Sequence, residues 1–390
     1  MSPKELRIAL VKQDVLPDLY IAPVEATALE ILHSTMMRVG PVGLFSDFHT
    51  DFHIVKESDS PECAIWKEII STPGPDKPED FRALKNTPLN LLKGQGHKSP
   101  GTSDTHDRYA VSYDELDWGQ YDIVISINIA VPRAHITKYP KVLWCYMAME
   151  ANMLMDKVHF GYDVCLNQEI RGYISKGMGI LDFPYTFLGP KTLEELTQSY
   201  LNRPSKNEGI YADSTVVKER PVKQVPHFEP LTRTGHPILI HRQLITENLE
   251  ALYDAKYYLK IGGRGTRGNG LIEAVSSGTL VLMEPENVRY SQLLPKECWV
   301  DSIDEALQKI QFLEENPHIY EELLALQRRL LQHFVIDCPM RSLVNALEEK
   351  RRDQSELMEN TNFGKYKALA TPVKSFSKWL EKVAVKLEYM

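Results

Sequence analysis

Short apolar runs alternate with amphipathic stretches along most of the chain. That is the pattern of an α/β protein whose strands are buried on both faces. The first run, Leu6 to Val11, stops at the polar Lys12-Gln13-Asp14. Tyr121 to Ile127, Lys141 to Met147 and Tyr162 to Leu166 follow as strands of a parallel sheet, and Ile180 to Leu188 reads as one more. Between the first two of these runs the pattern departs from the ordinary. Asp47, His49, Asp51 and His53 alternate with Phe48 and Phe52, so a strand there carries polar groups on one face. A wet strand face, an acceptor contact or base, and a metal site are all open readings of it. In the later half, His236 to Arg242, Tyr257 to Ile261, Thr279 to Met283 and Cys298 to Val300 read as strands. Helical spacing marks Glu25 to Val39, then a helix opened by the Ser302-Ile303-Asp304-Glu305 capping box. Two more follow, one starting at Asn316-Pro317 and running to about Phe334, the other from Met340 to Glu356.

This succession predicts an α/β protein with two Rossmann-like domains facing a cleft. Residues 1–195 form the first, interrupted by an irregular insertion at 57–114 rich in Pro, Gly, Ser, Asp and Lys. Residues 196–235 are linker and the start of the second domain, set in a proline-bearing stretch, Gly189 to Pro230, although Gly209 to Asp213 already reads as a strand. Residues 236–350 form the second domain, and 351–390 form terminal helices. In the tail, Val373, Phe376, Leu380, Val383 and Leu387 make an apolar stripe beside Lys374, Lys378, Lys382 and Lys386. Such a helix can pack on the first domain, dock on an anionic membrane surface, or simply face solvent.

The chemistry concentrates at Lys256 to Glu286. A strand leads into a loop with Gly262, Gly263, Gly265, Gly268 and Gly270, then a helix closed by Gly278, then a second strand ending at Glu284-Pro285. Free backbone N–H groups and the helix dipole at such a loop favour a phosphate. Arg264 and Arg267 add forked cations, and Arg242, ending the preceding strand, stands at the same sheet edge. Glu273, one turn into the helix, suits a ribose diol. The donor-binding set is therefore Arg242, Gly263, Arg264, Gly265, Thr266, Arg267, Gly268, Asn269, Gly270 and Glu273. Two other readings stay open. Gly263 to Gly268 also satisfies the dinucleotide pattern G-x-G-x-x-G, with Glu284 as the acid at the end of the next strand. The loop can also be a plain glycine-rich turn with solvated arginines.

Glu273-Ala274-Val275-Ser276-Ser277-Gly278, followed by an apolar strand and Pro285, resembles the C-terminal nucleotide-sugar domain of GT-B glycosyltransferases, of the group 1 and exostosin types. The resemblance covers roughly residues 236–345 and implies that Glu273 binds the donor ribose. Many group 1 enzymes carry a further glutamate eight positions earlier. Gly265 stands there in this chain.

Composition narrows the partners. Of 390 residues, 43% are hydrophobic and 25% charged, and a net charge of −8 argues against a dedicated nucleic-acid binder. Five scattered cysteines without a C-x-x-C pair, no N-x-S/T sequon, no leader-like N-terminus and no membrane-length apolar run point to a cytoplasmic protein. Peripheral membrane contact through 373–390 remains an option. Together these readings imply a metal-independent glycosyltransferase without a cofactor. Its donor is a nucleoside-diphosphate sugar, a UDP-sugar slightly favoured, and its acceptor is unidentified. A nucleotide-sugar epimerase or hydrolase on the same fold, or a non-catalytic nucleotide-binding protein, are the alternatives. An inverting transfer needs a general base at the first domain's carboxyl edge, from Glu150, Glu169, Asp14, or one of Asp47 and His49, in that order.

Overall fold

The computed structural model describes residues 5–13, 49–55, 110–111, 113–127, 131–147, 161–167, 180–182, 189–213, 227–240, 245–262, 269–285 and 291–359. Contacts along the chain divide it into residues 1–344 and 345–390, and both sheets lie in the first part.

The first sheet has seven parallel strands: β1 (Arg7–Gln13), β2 (His49–Val55), β3 (Ala110–Val111), β4 (Ile123–Ile127), β5 (Leu143–Met147), β6 (Val164–Asn167) and β7 (Ile180–Asp182). Their spatial order is β3-β2-β1-β4-β5-β6-β7. The chain moves outward from β1 to β3, then returns beside β1 and proceeds the other way, which is the doubly wound order. Ile8, Leu10, Ile123, Ile125, all of β5 and Cys165 to Leu166 are buried, as expected of strands covered on both faces. Trp118 packs against Trp144 with ring centroids 5.7 Å apart, and each indole N–H finds a backbone carbonyl, Tyr113 at 2.9 Å and Tyr139 at 3.3 Å. The short helix α1 (Arg133–Lys138) links β4 to β5.

The second sheet is also parallel, with β8 (Ile210–Ala212), β9 (Ile238–Ile240), β10 (Tyr257–Lys260) and β11 (Leu280–Met283) in the order β11-β10-β8-β9. Here too the chain reverses its direction of travel, between β8 and β10. The helices of this half are α2 (Thr192–Leu201), α3 (Ile245–Asp254), α4 (Asn269–Ser276), α5 (Ile303–Glu315), α6 (Pro317–Leu331) and α7 (Cys338–Glu359). A π-helical turn at Gln332–Asp337 joins α6 to α7. At the edge strand β11, the buried Gln327 side chain replaces a neighbouring strand. Its Oε1 accepts from Val281 N at 3.0 Å and its Nε2 donates to Val281 O at 2.9 Å. A buried edge left unpaired would cost free energy for each orphaned group.

Several expectations change. The proline-bearing stretch 189–230 holds a ten-residue helix, α2, which packs on α3 and α4. Pro190 and Pro204 lie just outside it, and Asn202 ends it in the left-handed conformation at φ 51°. The strand read at Gly209 to Asp213 is present as β8, and it is an inner strand of the second sheet. The expected strand at Cys298–Val300 is a 3-10 turn, Lys296–Cys298, followed by one bridge between Trp299 and Met283. The expected helix at 25–39, most of the 57–114 insertion, and the tail 373–390 lie outside the described residues. The Ser302 capping box forms, with Ser302 Oγ accepting from Glu305 N at 3.2 Å, while Glu305 Oε2 accepts from Asp301 N at 2.8 Å.

Candidate nucleotide site at the second sheet

Open α/β sheets bind ligands at the carboxyl ends of the strands where the winding reverses. In the second sheet that place lies between β8 and β10. The chain leaves β10 there at Ile261 and Gly262, and α4 begins at Asn269. Gly262 opens the loop at φ 66°, a conformation open to glycine at little cost. Its N–H donates to the buried Glu284 Oε2 at 3.0 Å. Glu284 is the acid that the dinucleotide reading requires for a ribose, and its carboxylate is turned back onto the first residue of the loop.

Beneath α4 lies a polar layer on one face of the sheet. Tyr211 of β8 and Tyr258 of β10 are register partners and stack with centroids 5.7 Å apart and planes 10° off parallel. Two residues on, Asp213 and Lys260 take up the same face, because strand side chains alternate. Asp213 Oδ2 accepts from Lys260 Nζ at 2.8 Å and from Tyr258 OH at 2.7 Å. Lys260 is fully buried, so this ion pair is the condition of its being there at all. Tyr211 OH donates to Asn248 Oδ1 of α3 at 3.3 Å. Burial, then the charge of Asp213, pushes the Tyr211 and Tyr258 hydroxyls well above the usual phenol range.

The first turn of α4 lies directly on this layer. A Cβ at Gly270 would sit 2.5 Å from Tyr258 OH, so only glycine allows the approach. Glu273 is three residues on, hence on the same face of the helix. The residue as a whole is half-buried, but its Oε1 is fully buried and has no hydrogen-bond partner among the described residues. Burial first, and the facing Asp213 second, push its carboxyl up to about 8. Such an orphan carboxyl oxygen is uncommon in a folded protein and marks a place where a ligand donor belongs. The motif's closing glycine has its own reason. Gly278 adopts φ 87°, and a Cβ there would come within 2.9 Å of Arg328 Nη2, which pairs with Glu194 Oε2 at 2.7 Å. That pair clamps α6 to α2 across the end of α4.

Of the donor-binding residues read from sequence, Gly270 and Glu273 are thus brought together on Tyr258, and Asn269 opens α4. Arg242, Gly263, Arg264, Gly265, Thr266, Arg267 and Gly268 lie outside the described residues. So do Glu150, Glu169 and Asp14, which follow β5, β6 and β1 within three residues along the chain. Those three strands are parallel, so their ends share one edge of the first sheet. Asp47 lies outside the described residues as well. His49 is the first residue of β2 and pairs with Arg7, the first of β1, at the amino edge away from the ligand side. Sequence reading passed over Asp213, Tyr258 and Lys260. The available signal was a lysine closing an apolar run, which demands a buried acid. No group of residues among those described is arranged to hold a metal ion.

No family model matches the chain, and no curated protein matches it. Solved structures that overlay it loosely include a sucrose-phosphate synthase from Thermosynechococcus elongatus, 12% identical, covering 91% of this chain and 100% of the other, with a TM-score of 0.38. T4 phage BGT in complex with UDP and Mn2+ is 11% identical over 88% of this chain and 99% of its own, at 0.39. An alpha-glucosyltransferase in complex with UDP-glucose and DNA containing an abasic site is 10% identical over 88% and 99%, at 0.42. Overlays this loose place no residue and bring no ligand to this chain.

Proposed function

We propose that the chain is a glycosyltransferase that takes its sugar from a nucleoside diphosphate bound at the β8–β10 reversal. The orphaned Oε1 of Glu273 carries this reading. A carboxyl oxygen withdrawn from water, with no donor among the described residues and at the start of a helix behind a glycine-rich stretch, suits a ribose hydroxyl. Phosphates would lie at the amino end of α4, against free N–H groups, with Arg264, Arg267 and Arg242 as the cations. Charge that builds on the leaving diphosphate would then be met by arginine and the helix dipole without a metal ion. An inverting transfer would draw its base from Glu150, Glu169 or Asp14. A UDP-sugar is the first donor to try.

The test is a melting-point screen against UDP, GDP, ADP, CMP, their common sugar conjugates and NAD(P), followed by calorimetry. A ligand that binds only the folded chain raises the melting point. One nucleoside diphosphate should stand out, and Glu273→Ala should weaken it. Arg264→Ala or Arg267→Ala should slow sugar transfer once an acceptor is found. A donor consumed equally fast without acceptor would turn the reading toward a hydrolase or epimerase. No shift with any nucleotide would refute the site.

A further inference from the structure

Asp213 has no place in the reading above, yet it is the group the site is built over. Its Oδ2 is held from two sides by Lys260 and Tyr258, so the carboxylate cannot swing away from α4. Tyr258 OH is also the atom on which Gly270 rests, and Glu273 shares that helical face. Two carboxyl groups, Asp213 and Glu273, therefore act on one another across a buried layer. Among the described residues only one of them, Asp213, has a cation, Lys260. Two like charges so placed do not ionise together, and the one without a cation keeps its proton. The titratable groups facing Glu273 among the described residues are Asp213 and Tyr211 from β8 with Tyr258 from β10, and Lys260 of β10 is held by Asp213. Arg264 and Arg267 belong to the adjoining loop.

We propose that Asp213 is a positioning residue that couples ligand capture to proton release at Glu273, resting on the donor reading above. In the empty site Glu273 is a carboxylic acid. A ribose diol brings two O–H donors, and a carboxylate accepts both while an acid accepts fewer. Binding thus favours the ionised form, and the carboxyl proton leaves to solvent. Donor affinity then rises with pH until the empty site is itself ionised. Burial pushes Glu273 up to about 8, which sets where the rise ends.

The experiment is calorimetric titration of the full chain with UDP-glucose, whose phosphates do not titrate in this range, with GDP-glucose and ADP-glucose in parallel. Each is run in two buffers of different ionisation heat between pH 6 and 9.5. The wild type should release close to one proton per donor at pH 7 and almost none at pH 9.5, with Kd improving about tenfold per pH unit below 8. Asp213→Asn removes the facing charge, so its profile should shift to lower pH and its proton count at pH 7 should fall. Glu273→Gln should bind more weakly, with no proton released and no pH dependence over this range. A merely structural Asp213 would change affinity at all pH values alike. Binding by the wild type with no proton release, or an Asp213→Asn profile superimposed on the wild type, overturns the inference alone. Absence of binding by all three sugars at every pH overturns the donor reading and the inference with it. Should Asp213→Asn fail to fold, the proton counts of wild type and Glu273→Gln decide the outcome.

Discussion

Replacing Glu273 by Gln tests the site without any ligand. In the folded chain the carboxyl is pushed up to about 8, by burial and then by Asp213, from an ordinary value of 4.5. In the unfolded chain it titrates at that ordinary value. Between the two, the folded state holds a proton that the unfolded state has lost. Stability must therefore fall as pH rises through this window. The wild-type carboxyl costs nothing below pH 4.5, a growing amount from there to 8, and a constant amount above. Each tenfold change in acidity is worth about 1.4 kcal/mol, which gives an upper limit near 5 kcal/mol over the whole window. Glu273 is half-buried as a whole, and water on its open side trims this to a working figure of about 2–4 kcal/mol.

Glutamine keeps the shape and does not titrate. The difference in unfolding free energy between Glu273→Gln and wild type should grow with pH from about 5 to about 8, then level off. Urea unfolding followed by tryptophan fluorescence, pH by pH on both proteins, cancels every other titrating group. The variant should be the more stable protein at pH 9. A difference that stays flat from pH 5 to 9 would refute the buried, unpartnered carboxyl, and with it the ground on which the ligand site stands.

Other substitutions probe the frame around the site. Gly270→Ala would put a methyl 2.5 Å from Tyr258 OH, so the helix must lift or Tyr258 must leave Asp213. We expect a loss of about 1–3 kcal/mol by urea unfolding, with weaker donor binding in the same preparation. Gln327→Leu would orphan the outer N–H and C=O of Val281 on a buried strand edge, with a cost of about 2–4 kcal/mol and faster amide exchange at β11. Gly278→Ala would strain a φ of 87° and press on Arg328, and a loss of about 1–2 kcal/mol should appear in the same unfolding assay.

How much of this was legible beforehand depended on whether a residue's reason was local. Strands buried on both faces need continuous apolar runs, so β4, β5, β6, β10 and β11 stood out in sequence. Gly262, the helix from Asn269 and the closing Gly278 were equally plain, because a glycine with positive φ and a helix amino end each leave a local mark. Helix α2 was hidden for a related reason. Its ten residues are flanked by prolines, and flanking prolines read as linker although they only bound the helix. Gln327 sits in a stripe with Tyr320, Leu323, Leu324 and Leu331, where a polar side chain makes sense only once an unpaired strand edge lies across from it.

Asp213 and Lys260 mark the limit of that legibility. Lys260 ends β10 and Asp213 directly follows β8, and along the chain they are 47 residues apart. Nothing local calls for either one. A lysine at the end of Tyr257 to Ile261 announces only that a buried cation needs an acid, and many carboxylates were available to answer. The parallel register chooses among them. Tyr211 stands beside Tyr258, so the next residue on the same face of β8 must stand beside Lys260, and that residue is Asp213. A slip of one residue would bury Ala212 against Lys260 and turn Asp213 to the other face. The ion pair is therefore also a register lock for β8 on β10. The same lock fixes how close Asp213 comes to Glu273, so the proton held at the site is a consequence of strand pairing.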